Sequence, residues 1–187
     1  THIKSGMQIV KLNAYEKGRI QEAAKKMSSS ALRVLALAYR RLNDPHPSNL
    51  ESEMTFIGLV GLIDPPREEA KEAIATCHKA GIEVAMITGD HPLTALAIAR
   101  QLNIAKSEEQ VMTGRELDET SDDKLCEKVK TTRVFARVTP EHKVRIVSAF
   151  KCNDKVVAMS GDGVNDAPSL KNADIGIAMG QNGTDVC

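Results

Sequence analysis

The chain has 187 residues, 42% of them hydrophobic, with 25 basic residues balancing 25 acidic ones. A balanced charge excludes nucleic acid as the main partner, because phosphate-backbone binding shows a basic excess. Aromatics at 3% with no Trp leave no stacking platform for single strands. No apolar run approaches the roughly 18–20 residues of a membrane helix, so a soluble chain without a signal peptide is expected.

Tyr15 to Met27 predicts a charged amphipathic helix, with Ile20, Ala23, Ala24 and Met27 on one face. Leu32 to Tyr39 is short and apolar and predicts a buried strand. Asn43 to Ser48 holds Asp-Pro and His-Pro and predicts a loop. The domain boundary is placed just after it, giving residues 1–53 and 54–187. Thr55–Ile63 then reads as a strand. Arg67–Ala80 reads as a helix with Ala70, Ala73, Ile74 and Cys77 inward and Gly81 as its cap. Glu83–Ile87 predicts a strand and Pro92–Leu102 a helix. Asp118–Lys130 is polar and predicts a short surface helix in an insertion. Arg133–Ala136 predicts a strand, Pro140–Phe150 a helix, and Val156–Met159 and Ile175–Ala178 two more strands. Alternating strands and helices imply an α/β fold with a parallel, doubly wound sheet. In such sheets ligands gather at the carboxyl ends of the strands.

Cys77, Cys126, Cys152 and Cys187 form no Cys-x-x-Cys pair, and reduced thiols are expected. Asn182-Gly183-Thr184 reads as a turn. There is no P-loop and no complete dinucleotide fingerprint. No repeat of 20–50 residues is present.

The chemistry concentrates in Ser160-Gly161-Asp162-Gly163-Val164-Asn165-Asp166. An apolar run ends there in a tight turn, followed by carboxylates and an amide. Hard oxygen ligands gathered this way suit Mg²⁺, which is held by one or two carboxylates plus substrate phosphate. Asp162 is the first candidate ligand. Asp166 could touch the metal or brace Lys143, and Asn165 can donate to a phosphate oxygen. Thr88 follows a strand directly, and its hydroxyl and the Gly89 amide can both donate to phosphate. The alternative is that Thr88 or Asp90 caps the following helix. Asp64-Pro65-Pro66-Arg67 is a stiff turn, because each proline fixes φ. His142, beside Lys143, is expected to be solvated.

These segments, with Thr139-Pro140-Glu141-His142-Lys143, stand in the order found in P-type cation-transporting ATPases of the haloacid dehalogenase superfamily. The chain resembles that family's phosphorylation domain over nearly its whole length. Ala158 through Gly180 resembles calcium-pump-like members most closely. The resemblance implies a haloacid dehalogenase-like Rossmannoid parallel sheet with flanking helices, preceded by a partial nucleotide-binding domain in residues 1–53. It implies that Asp162 binds Mg²⁺ directly with support from Asp166, and that Lys143 neutralises the phosphoryl group. Thr88 would meet phosphate, with Asp90 on the nucleotide side. Arg33 resembles the arginine that reaches ATP phosphate from the nucleotide-binding domain, though an arginine entering a strand is more often simply exposed. Arg33 and Arg137 are both weaker candidates for the nucleotide or phosphate, and Asp64 to Arg67 would form the hinge, with its charged residues near the nucleotide.

The family's Asp-Lys-Thr-Gly-Thr motif, with its phosphorylated aspartate, does not occur in this sequence. The chain is therefore expected to be a fragment whose sheet lacks the strand that carries that aspartate. The implied cofactors are Mg²⁺ and ATP. The implied partners are membrane helices, an actuator domain and the rest of the nucleotide-binding domain, all of the same polypeptide, at the cytoplasmic face of a membrane. The alternatives are a stand-alone phosphatase of the superfamily and a non-catalytic Mg²⁺- or nucleotide-binding module.

Overall fold

Pro65 and Pro66 lack the N–H that a ladder or helix interior needs, and the fold divides between them. The units are Thr1–Pro65 and Pro66–Cys187. The computed structural model describes residues 2–5, 8–41, 51–63, 65–161 and 164–179. The expected loop at Asn43–Ser48, the turn at Asn182-Gly183-Thr184, and Asp64, Asp162 and Gly163 lie outside the described residues.

In the first unit, β1 (His2–Ser5) and β2 (Gln8–Lys11) form an antiparallel pair. Helix α1 (Ala14–Ser29) follows, its first turn capped by Asn13, whose side chain accepts from the Glu16 N–H at 2.8 Å. Strands β3 (Arg33–Tyr39) and β4 (Thr55–Leu62) complete a sheet of order β2-β1-β4-β3. The expected boundary at 53/54 is thereby corrected. β4 pairs antiparallel with β3 from Arg33↔Leu62 to Tyr39↔Thr55 and parallel with β1, so it belongs to the first sheet. β3 is also less buried than expected, with Leu35 and Leu37 each 46% exposed. One helix can cover only one face of a sheet, and α1 is the only helix described in this unit.

The second unit starts with α2 (Glu68–Lys79), β5 (Met86–Thr88) and α3 (Pro92–Gln101). On α2, Ala70 and Ile74 pack inward as expected, whereas Ala73 is exposed. Then come β6 (Val111–Thr113), α4 (Gly114–Asp118), α5 (Asp122–Lys128) and β7 (Val134–Ala136). The chain continues through α6 (Pro140–Lys151), β8 (Ala158–Gly161), α7 (Ala167–Asn172) and β9 (Ile175–Ala178).

Strand side chains alternate between faces, and β7 shows why it is central. Val134 and Ala136 point into a core with Leu96 and Ala99 of α3. Phe135 points the other way, to Met112, Leu117, Leu125 and Ile146.

The parallel strands form two sheets, of order β5-β7-β6 and β8-β9. Between them lies a largely apolar cavity of about 800 Å³. Its walls are residues 81–85 and Ile87 before and within β5, Ile146 and Val147 of α6, and residues 155–161 leading through β8. β9 is exposed along its length, including Ile175 at 53% and Ile177 at 48%. Parallel strands are ordinarily covered on both faces, so this part of the sheet is incomplete among the described residues.

Helix α6 works on two sides. His142, Arg145, Ala149 and Cys152 recur at helical spacing, and this side meets α4 and α5. Arg145 donates to the carbonyls of Leu117 (2.9 Å) and Thr120 (2.7 Å) and pairs with Asp122 at 2.7 Å. Cys126 is bonded to Cys152, with Cα atoms 6.1 Å apart. That corrects the reduced-thiol expectation for this pair: the two are 26 residues apart in sequence, but packing α5 on α6 brings them together. The opposite side carries Lys143, Val147 and Lys151. Val147 packs with Met159 and Leu170, and Lys151 donates to the Asn172 carbonyl at 3.0 Å.

Candidate active site

Loops leaving the carboxyl ends of β5, β7 and β8 carry most of the candidate residues. After β5, Thr88 and Asp90 engage each other. The Thr88 hydroxyl donates to the Asp90 carboxylate at 3.1 Å and accepts from the Asp90 N–H at 3.1 Å. Neither residue caps α3. The cap is His91, whose Nδ1 accepts from the Leu93 N–H at 3.3 Å.

The loop after β7 is stitched to this one through backbone. The Arg137 N–H donates to the Asp90 carbonyl at 3.2 Å, and the Val138 N–H to the Thr88 carbonyl at 3.4 Å. Arg137 takes φ 56°, a left-handed conformation uncommon outside glycine. Its carbonyl presses against Gly114, where a Cβ would come within 2.2 Å. Only glycine lets α4 start so close to this loop.

Thr139 then caps α6, with Pro140 in the first turn, where proline is tolerated. The His142 N–H donates to the Thr139 hydroxyl at 3.5 Å, and His142 Nδ1 accepts from the Thr139 N–H at 3.1 Å. This is a capping box in which histidine stands where Glu or Gln is usual. The Glu141 carboxyl is held below its ordinary range by its own backbone N–H and then by the Thr139 hydroxyl.

One residue further on, the Lys143 ammonium donates to the Asp166 carboxylate. Asp166 is buried and sits in a 3₁₀ turn, Val164–Asp166, after β8. Its carbonyl accepts from the fully buried Ser169 hydroxyl at 2.8 Å. Both Lys143 and Asp166 line the cavity between the two sheets, beside Gly161 and Ile87. Of the two readings open for Asp166, the described contact is the brace on Lys143.

Asn165 is exposed in the same 3₁₀ turn, and the Arg137 side chain is exposed. Arg67 is exposed at the start of α2 and makes no side-chain cap bond. Arg33 is exposed at the start of β3, in the first unit. The structure thus brings Lys143 and Asp166 together, and separately joins the Thr88–Asp90 loop to the Arg137 loop. Asp162 and Asp64 lie outside the described residues.

No three metal-ligating side chains cluster among the described residues. The Asp166 carboxylate is nevertheless a hard oxygen donor facing the cavity, and that donor chemistry fits Mg²⁺. No helix among the described residues is long and apolar enough to cross a membrane.

The expectation of a solvated His142 is overturned. The residue is 6% exposed, and its Nε2 lies 2.7 Å from Asp118 Oδ1. The available signal was the spacing Thr139-x-x-His142, a capping box with an unusual partner.

A family model for haloacid dehalogenase-like hydrolases matches residues 7–174. The chain belongs to that family. This haloacid dehalogenase-like chain is 53% identical over 188 residues to Calcium-transporting ATPase 1 of Bacillus cereus. It is 47% identical over 173 residues to the Calcium-transporting ATPase of Bacillus subtilis. It is 44% identical over 187 residues to Calcium-transporting ATPase type 2C member 1 of Homo sapiens. These matches cover 100%, 91% and 100% of this chain, but 21%, 19% and 20% of the relatives. The chain spans about a fifth of the length of the relatives it matches.

Proposed function

We propose that this chain is the phosphoryl-transfer portion of a P-type ATPase that moves a cation, with Ca²⁺ as cargo. The observation that carries the reading is the Lys143–Asp166 pair. It is set at the carboxyl end of β8, against a cavity flanked by two parallel sheets. Phosphoryl transfer is catalysed mainly by positioning and charge stabilisation, and a cation held in place by a buried carboxylate supplies both.

In this reading the γ-phosphoryl group of ATP passes to an aspartate carboxylate and ADP leaves. Water then cleaves the acyl phosphate, releasing phosphate and restoring the carboxylate. Lys143 balances charge on the transferred group while Asp166 holds its ammonium in place. The Thr88 hydroxyl exchanges its bond to Asp90 for a phosphate oxygen, and the Gly89 amide and Asn165 donate beside it. Asp162 and Asp166 would hold Mg²⁺, which when bound neutralises phosphate charge. Arg33, Arg67, Arg137 and Asp90 serve the nucleotide side, and residues 64–67 the hinge.

The acceptor aspartate comes from elsewhere in the same polypeptide, at the end of a strand that enters the cavity between β5 and β8. The apolar lining, the edges of β5 and β8 left unpaired among the described residues, and the exposed β9 support that reading. So does the fivefold greater length of the relatives.

The test uses the full-length protein and γ-labelled ATP with Ca²⁺ and Mg²⁺. It should acquire acid-stable, hydroxylamine-sensitive label, and Lys143→Ala should lower the initial rate by at least about a hundredfold. The 187-residue chain alone should acquire none. Stoichiometric label on the chain alone, or none on the full-length protein, overturns the proposal.

A further inference from the structure

Lys143 can act on a phosphoryl group only if the first turn of α6 is held still, and the structure shows what holds it. Position 142 points away from the cavity, toward α4. His142 is buried there and uses both ring nitrogens. Nδ1 accepts from the Thr139 N–H at 3.1 Å, so Nε2 carries the proton and donates to Asp118 at 2.7 Å. Asp118 ends α4, and α4 is itself tied to α6 by Arg145, which donates to the Leu117 and Thr120 carbonyls. At the other end of α4, Gly114 lies against both the Arg137 carbonyl and the His142 ring, where a Cβ would be 3.2 Å from Cε1. The α4–α5 crossover between β6 and β7 therefore grips the lysine helix on its far side, one residue from Lys143.

We infer that His142 is a positioning residue for Lys143, oriented by Asp118 from the α4–α5 crossover between β6 and β7. The assignment rests on the phosphoryl-transfer reading for its kinetic consequence, but the positioning itself is measurable without it. Removing the Asp118 acceptor frees the ring, which then no longer fixes the Thr139 N–H. The first turn of α6 loosens, and the Lys143 ammonium leaves its place beside Asp166. The substrate-binding groups are untouched, so the loss falls on the chemical step.

The experiment compares full-length wild type, Asp118→Ala, His142→Leu, His142→Gln and the Asp118→Ala/His142→Leu double variant. Asp118 is 67% exposed, so its replacement leaves the core intact. Gln offers an acceptor and a donor in one group and is a usual capping-box residue. Two readouts are taken: phosphoenzyme formation across ATP concentrations, and the rate at which acetic anhydride modifies Lys143, followed by mass spectrometry.

Asp118→Ala and His142→Leu should each lower the maximal rate about tenfold, on the scale by which small misplacements reduce catalysis, with KM for ATP unchanged. The double variant should be no slower than the slower single variant, because both act through one contact. His142→Gln should stay within about twofold of wild type, since it keeps the box. Lys143 acetylation should rise severalfold in Asp118→Ala and His142→Leu and stay at the wild-type rate in His142→Gln. Wild-type acetylation and rate in Asp118→Ala overturn the inference, as does additivity in the double variant. Absence of phosphoenzyme from wild type defeats the proposed function instead, and the acetylation series then still decides the positioning role.

Discussion

A Cβ built on Gly161 would lie 2.5 Å from the Cβ of Asp166 and 2.9 Å from its Oδ2. Asp166 can approach the end of β8, and so reach Lys143, only because residue 161 has no side chain. Overpacking of this kind costs about 1–3 kcal/mol. Gly161→Ala should lower unfolding stability by about that amount, measured by denaturant titration, and should raise the acetylation rate of Lys143. Unchanged acetylation would show that Asp166 accommodates the methyl without moving.

Removing Lys143 takes an ammonium away from a buried carboxylate, and removing Asp166 takes a carboxylate away from the Lys143 ammonium. Asp166 is 8% exposed at its side chain and Lys143 22%. Lys143→Met should therefore destabilise the protein by about 3 kcal/mol. Lys143→Met combined with Asp166→Leu should recover most of that loss, because an apolar pair can replace a buried ion pair. Chemical denaturation of the two variants beside wild type checks the sign. A double variant less stable than the single one would contradict the argument.

The sequence-level reading did best where local signals are strong. Thr139-Pro140 marks the start of α6, and β9 appears at Ile175–Ala178, the range read from the apolar run. It failed where partners are distant. β4 looks like the opening strand of the second domain, and only its pairing with β3 and β1 puts it in the first. β1 and β2 are four-residue strands, one with a single apolar residue and the other with two adjacent ones, too short for periodicity to show. His142 and Asp118 are 24 positions apart, so nothing near position 142 announces its partner. One readable signal was passed over: Thr113-x-x-Glu116 is a capping box of the usual kind, and it starts α4. Of the candidate site, the sequence leaves Asp166 two options, the metal or Lys143, and the described contact is with Lys143.

That capping box makes a pH-dependent prediction. The Glu116 carboxyl is held below its ordinary value of 4.5 by the Thr113 backbone N–H and then by the Thr113 hydroxyl. A pKa lowered by folding adds stability that is complete above the ordinary value and disappears as pH falls through the folded one. Acidification from pH 5 to pH 3 should therefore remove part of the stability of α4. Glu116→Gln keeps the box but cannot ionise, so its melting temperature should fall less over that range. Parallel acid profiles for the two proteins would rule out this contribution.

The Cys126–Cys152 bond closes a loop between residues 26 apart. Chain-entropy arguments give about 3 kcal/mol for a loop of that size. Cys126→Ser should cost about that much in an oxidised sample and far less when wild type and variant are both compared under excess dithiothreitol. An equal cost in both conditions would mean that packing, and not the bond, is responsible.

The edges of β5 and β8, which pair with no further strand among the described residues, lie beside an apolar cavity and predict self-association of the isolated chain. Sedimentation of the 187-residue chain should show a concentration-dependent dimer or larger species. A longer chain that supplies the strand should be monomeric when prepared without any membrane segment. It should also gain melting temperature from beryllium fluoride with Mg²⁺, as a ligand bound only by the folded state requires. The isolated chain should gain none; an equal gain there would mean that its phosphate site is already complete.

The walls of that cavity come from segments far apart in the chain, residues 81–87 on one side and 155–161 on the other. During synthesis the first wall leaves the ribosome well before the second exists. At roughly 5–20 residues per second, the interval lasts on the order of several seconds. Throughout it the cavity-facing sides of Ile82, Val84 and Ile87 lack the wall that residues 155–161 later supply. Nascent chains stalled within this interval should be the ones that bind trigger-factor-like holdases, and release should coincide with the emergence of β8.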